Sequence, residues 1–102
     1  MKDLQERVRR FSKEAGIENP PHIAALDTVA EIGEVTAEMI KSSKYGKDSF
    51  VKTAQLESEM GDVLYSLITL ANSLDINLEK ALNIVLEKYS NRIKATGQAG
   101  SK

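Results

Sequence analysis

Glu31-Ile32-Gly33-Glu34 and Glu59-Met60-Gly61-Asp62 are two acidic pairs of one form, and the stretch they bracket decides the fold. Both pairs sit in segments whose apolar residues recur at helical spacing. Ile23, Leu26, Val29 (or Ala30), Ile32 and Val35 surround the first; Leu56, Met60, Val63, Leu64 and Leu67 surround the second. An i,i+3 separation puts both acids of a pair on one helix face. Two such helices packed antiparallel, with those faces opposed, would bring four carboxylates into one small volume. Like charges at this spacing cost about 0.2–0.5 kcal/mol even when exposed. Convergence across an interface costs more unless protons or a cation neutralise it. A hard divalent ion with oxygen ligands, Mg2+ foremost, is the simplest compensation. Glu38 extends the first acidic line to i+7 and adds a further possible ligand.

Outward from this centre the chain continues to read as helix. Upstream, Leu4, Val8, Phe11 and Ala15 form one apolar stripe, with Arg7, Arg9, Arg10 and Lys13 mainly off it. Gly16 is the expected stop, and Asn19-Pro20-Pro21 a rigid break. The second helix is expected from about His22 to Lys44, with Tyr45-Gly46 as its stop. Gly33 inside it costs about 1 kcal/mol relative to Ala, which close approach of a backbone or ligand would explain. Ser49 is read as the cap of a third helix beginning at Phe50, whose core face is Leu56, Met60, Val63, Leu64, Leu67, Ile68, Ala71 and Leu74. Asp75-Ile76-Asn77 is a turn in which Asn77 caps the last helix. Leu78, Ala81, Leu82, Val85, Leu86, Tyr89 and Ile93 give that helix its stripe, and Gly97–Lys102 reads as a frayed tail. No strand-like alternation, Gly-rich phosphate loop, zinc signature, internal repeat or sustained heptad occurs. The expectation is an all-α four-helix bundle over residues 1–96, completed by oligomerisation.

Composition sets outer limits. A chain of 102 residues, 41% apolar and 28% charged, fits one domain that buries a modest fraction of its surface, so self-association is a natural supplement. The absence of cysteine excludes disulfides, thiolate ligands and thiol nucleophiles, and agrees with an expected cytoplasmic setting. The start lacks the apolar run of a secretion signal, and no segment has the length to span a bilayer. A formal net charge of −1 argues against a long nucleic acid as principal ligand. Small phosphorylated ligands remain compatible, because a bound cation reverses the local field.

Lys88 and Arg92 are i,i+4 neighbours able to project together, a compact charge and a fork of donors suited to phosphate, with Tyr89 beside them. Favourable charge placement at a helix C-terminus accounts for them as well. With these residues on the page, the chain resembles the MazG-like all-α nucleoside-triphosphate pyrophosphohydrolases. Their acidic signature, Glu-x-x-Glu followed by Glu-x-x-Asp, falls on Glu31/Glu34 and Glu59/Asp62. The passage from Leu70 to Leu82 is similar to the family's third-to-fourth helix link, and Lys88-Tyr89-Ser90-Asn91-Arg92 to its phosphate-contacting helix. Ala30 stands where relatives often carry another Glu, and the loop before His22 lacks a common tryptophan; both departures bear on nucleotide preference.

The resemblance implies Mg2+-dependent hydrolysis of a nucleoside triphosphate between its α and β phosphates, yielding a monophosphate and pyrophosphate. It implies Glu31, Glu34, Glu59 and Asp62 as the metal-holding and catalytic carboxylates, with Glu34 or Glu31 as general base. Lys88, Tyr89 and Arg92 would contact phosphates, with His22 near the base or sugar. Phe11, Phe50 and Tyr45 are candidate base-stacking groups, and Lys44, Lys47 and Lys52 could enclose phosphates if their loop folds over the site. A homodimer or homotetramer is expected, with neither a long nucleic acid nor a membrane as partner. A metal-dependent nucleotide-binding regulator without efficient catalysis is the alternative.

Overall fold

Four helices account for the architecture: α1 (Lys2–Ala15), α2 (Pro21–Ser42), α3 (Ala54–Ser73) and α4 (Leu78–Thr96). The computed structural model describes residues 1–98, so the last four residues of the expected tail lie outside it. No strand occurs among the described residues, and the all-α, four-helix expectation holds. Helix ends follow local chemistry. Gly16 (φ 68) and Gly97 (φ 78) close α1 and α4 in the left-handed region, where a side chain is costly. Pro21 sits in the first turn of α2, where its missing N–H is not needed. The Asn77 side chain accepts from Lys80 N at 3.0 Å, as expected of the α4 cap.

α3 begins later than expected. Its cap is Thr53, whose hydroxyl accepts from Leu56 N and donates to Glu38 Oε2, both at 3.0 Å. Ser49 and Phe50 therefore lie in the preceding connection. The winning residue is the one that satisfies an orphan helix N–H and a carboxylate of the neighbouring helix together. α2 ends at Ser42, two residues before Lys44. Lys44, Tyr45 and Gly46 all take positive φ, which turns the chain towards α3.

The centre of the fold is the antiparallel pair α2–α3, shown by Glu38 meeting Thr53 while Glu31 meets Asp62 further along. α1 lies antiparallel on the other side of α3, and its expected apolar stripe is not what fills the interface. The stripe Leu4–Val8–Phe11–Ala15 does not enter the core: Phe11 is 58% exposed, while Gln5 and Ser12 are buried. Gln5 Nε2 donates to Asn72 Oδ1 (3.1 Å) and to the Ile76 carbonyl (2.8 Å), and its Oε1 accepts from Leu78 N (2.8 Å). Asn72 Nδ2 returns a bond to the Gln5 carbonyl, and the Ser12 and Tyr65 hydroxyls share one at 2.8 Å. Polar side chains can occupy this interface because each finds its partners there. The apolar stripe of α1 instead faces a groove of about 530 Å³ between α1 and α3.

The core within one chain is small: Ala24, Ile68 and Ala71 are its buried apolar residues. Met60, Leu64, Leu67 and Leu74, expected on the core face of α3, are open by 39–55%. α4 is joined at its start by Gln5 and by the terminal amine of Met1, 3.6 Å from Glu79, but packs along none of the other helices. Its Leu82, Leu86, Tyr89 and Ile93 are exposed. The bundle expected from four apolar stripes is thus left open on the α4 side.

Candidate functional site

The antiparallel pairing of α2 and α3 sets the first acidic face against the second. Glu31, Glu59 and Asp62 each place a carboxylate oxygen within 4.8 Å of the others. Glu31 and Glu59 are half-buried and Asp62 is exposed, so the cluster opens to solvent on one side. Gln55, one turn before Glu59, donates to Glu59 Oε1 at 2.6 Å and holds that carboxylate in place. Glu38 does not join the cluster; its carboxylate receives Thr53 and ties the start of α3 to α2.

The electrostatics report the crowding. The Glu31 carboxyl is pushed above its ordinary value, first by partial desolvation and then by the charges of Asp62, Glu59, Glu34 and Asp27. Glu34 is therefore near enough to be felt, though it stands outside the close trio. Asp27 is the acid that the sequence reading overlooks. It lies one turn before Glu31 and extends the line to Asp27–Glu31–Glu34–Glu38, a 4-3-4 spacing visible in the sequence itself.

These donors suit a hard cation. All three are carboxylate oxygens, with no sulfur or imidazole among them. Their oxygens, already within 4.8 Å of one another, would have to draw closer to hold one such ion, which rotation of these side chains would allow.

The remaining candidates sit apart from the trio. Lys88 Nζ and the Arg92 guanidinium lie 5.6 and 5.8 Å from the centroid of the Tyr89 ring, forming a cationic group on α4. α4 runs free of α2 and α3 along its length, so the chain alone does not bring this group onto the acids. His22 is exposed in the first turn of α2. Phe11 meets Tyr65 edge-on at 6.2 Å, and Phe50 and Tyr45 are exposed in the α2–α3 connection. Lys44 pairs with Asp48 (3.3 Å) and Lys52 with Glu57 (3.8 Å), so both ammonium groups are engaged at the surface.

Comparison with known proteins places this geometry. Residues 21–96, the span from α2 to α4, match the MazG nucleotide pyrophosphohydrolase domain. The chain is 38% identical over 99 residues to YpjD of Bacillus subtilis strain 168, an uncharacterised protein, covering 92% of this chain and 86% of that one. A crystal structure of B. subtilis YpjD superposes with a TM-score of 0.73 at 36% identity, covering 90% of this chain and 94% of that one. The crystal structure of a Bacillus-conserved MazG protein, a nucleotide pyrophosphohydrolase, superposes with a TM-score of 0.69 at 34% identity over 86% of each chain. With the two acidic helices inside the matched span, the chain belongs to the MazG nucleotide pyrophosphohydrolase family.

Proposed function

We propose that this chain hydrolyses a nucleoside triphosphate between the α and β phosphates, releasing a nucleoside monophosphate and pyrophosphate, with Mg2+ as its cation. The observation that carries this reading is the gathering of Glu31, Glu59 and Asp62 from two helices, within a family of nucleotide pyrophosphohydrolases. These three would hold the cation, with Gln55 fixing one oxygen of Glu59. Such an ion would supply charge neutralisation for the phosphate chain and would acidify water. Glu34, outside the trio and one turn from Glu31, is the carboxylate left to accept the proton of the attacking water. Water oxygen bonds to the α phosphorus, the bond to the bridging oxygen breaks, and pyrophosphate leaves with the electron pair. Lys88, Arg92 and Tyr89 would contact the phosphates, and His22 the base or sugar. Self-association, as a homodimer or homotetramer, belongs to the same reading.

Product identification over a panel of standard, deoxy and modified nucleotides, with and without Mg2+, tests the proposal. Monophosphate and pyrophosphate should appear only with the cation; diphosphate and orthophosphate as first products would overturn it. Asp62→Ala should abolish turnover while leaving helicity intact. The separation of α4 from the acids within one chain favours a second reading, a nucleotide-binding regulator. That alternative requires saturable binding without turnover on any member of the panel.

A further inference from the structure

We infer that Gln55 selects the cation: by holding one oxygen of Glu59 it keeps that acid a single-oxygen ligand, and so favours Mg2+ over a larger ion such as Ca2+. The inference rests on Glu31, Glu59 and Asp62 being the cation site of the hydrolase reading, but not on turnover itself.

The argument starts where α3 begins. Two neutral side chains there each donate a hydrogen bond to an acid at the α2–α3 contact. The Thr53 hydroxyl donates to Glu38 Oε2 at 3.0 Å, and Glu38 stays outside the trio. Gln55 Nε2 donates to Glu59 Oε1 at 2.6 Å, and Glu59 stays inside it. The sense of this second bond is fixed by chemistry, because an ionised carboxylate only accepts and the amide must turn its NH2 towards it. Gln55 and Glu59 are i,i+4 neighbours, so the helix itself sets the reach.

The neutrality of the donor matters. A lysine or arginine would hold the same oxygen but cancel part of the charge that draws a cation in. Lys52, the lysine nearest to Gln55 in sequence, is engaged by Glu57 at 3.8 Å instead. Gln55 therefore orients Glu59 without discharging it.

Coordination turns this orientation into selectivity. Mg2+ demands near-ideal octahedral geometry at about 2.0–2.1 Å, whereas Ca2+ takes roughly six to eight oxygens at about 2.3–2.6 Å, two-oxygen carboxylates among them. Glu31, Glu59 and Asp62, offering one oxygen each, leave half of an octahedron for phosphate oxygens and water. Glu59 binding through both oxygens would add a fourth at a narrow angle, which suits Ca2+ and strains Mg2+. It would also have to turn Oε1 away from the Gln55 amide. The hydrogen bond opposes that turn, so Gln55 is a positioning residue that acts through Glu59.

Cation titrations test this without nucleotide. Chelated protein is titrated with Mg2+ or with Ca2+, and apparent affinities are read from the rise of the thermal midpoint with cation concentration. Gln55→Leu keeps the bulk and removes the donor. It should move the ratio of the two affinities towards Ca2+ by about tenfold, the scale on which losing a ligand's hydrogen-bond partner acts. Gln55→Lys keeps a donor and adds a charge, so it should weaken both cations together and leave their ratio near that of wild type. A Gln55 that merely steadied the helix would shift the cation-free midpoint and leave the ratio unchanged in Gln55→Leu; that result overturns the inference. A Gln55→Lys ratio displaced as far as that of Gln55→Leu overturns it too. A wild-type midpoint that responds to neither cation overturns it together with the cation site. The expected ratios, in a wild type that turns over no nucleotide on the panel, would retain the role of Gln55 and remove the hydrolase reading.

Discussion

Single residues decide how stiff the acidic cluster is before any cation arrives. Glu31 has its carboxyl pushed above the ordinary value by desolvation and by its acidic neighbours. The folded chain therefore holds that proton to higher pH than the unfolded chain does. In the window between the two values the native state binds more protons, so the slope of unfolding free energy with pH is negative. Stability of the metal-free protein should fall as pH rises from the ordinary carboxylate value through the raised one. Glu31→Gln should flatten that part of the profile. Urea melts of chelated protein across the acid range would check it, and identical slopes for wild type and variant would contradict the assignment. On the proposed role of the trio as a cation site, Mg2+ should restore the lost stability above the window in wild type, as a ligand of the folded state does.

Thr53 and Gln5 are the other residues whose chemistry reaches further than their size. Thr53 caps α3 and holds Glu38, so Thr53→Val, close in shape, should cost about 1 kcal/mol by denaturant melt, in the range of a lost cap. It should also lower turnover at unchanged helicity, because α3 carries both Glu59 and Asp62. A variant as stable as wild type would remove the cap from this account. Gln5→Leu leaves Leu78 N and the Ile76 carbonyl without their partner, at a cost of about 1–3 kcal/mol. Amide exchange at Leu78 should quicken by more than at residues in the middle of α3. Uniform change along the chain would show that Gln5 contributes only to global stability.

At the level of elements, helix identity was legible because apolar periodicity, Gly stops and the Asn77 cap are local signals. The antiparallel meeting of the Glu31 and Glu59 faces was legible for the same reason, since each pair lies on its own helix face. The start of α3 was not, because Ser49 and Thr53 are both competent caps. The choice between them turns on Glu38, fifteen residues from Thr53 in sequence. Which face of α1 packs on α3 was not legible, on a different ground. An apolar stripe identifies a surface that must be covered, but it does not say that the same chain covers it. Nothing in the local sequence marks Gln5 and Ser12 for burial; Asn72 and Tyr65, far along the chain, supply the partners that allow it. Asp27 was within reach of the sequence and needed only the spacing to be followed one turn further back.

The whole molecule is wider than a chain of this length needs to be. Its radius of gyration is 16.7 Å, against about 13 Å for a compact domain of roughly 100 residues. The excess comes from α4 standing off the other three helices, and it accompanies exposed Leu26, Val29, Leu82, Ile84 and Leu86. Few apolar side chains are fully buried, Ala24, Ile68 and Ala71, against many left open, so folding and association should be coupled. The thermal midpoint should then rise with protein concentration, and circular dichroism should show loss of helix on the same dilution at which sedimentation shows the assembly dissociating. Leu86→Asp, which places a charge in the α4 stripe, should shift that dissociation to higher concentration by tenfold or more, about 1.4 kcal/mol or above. Ile17→Asp, at an exposed position beyond the α1 stop, is the control and should leave dissociation unchanged. A midpoint independent of concentration, with a monomer that keeps full helicity on dilution, would show that the three packed helices suffice. It would also return α4 to the role of an appendage, because the apolar stripes on α1, α3 and α4 would then have no thermodynamic reason to meet.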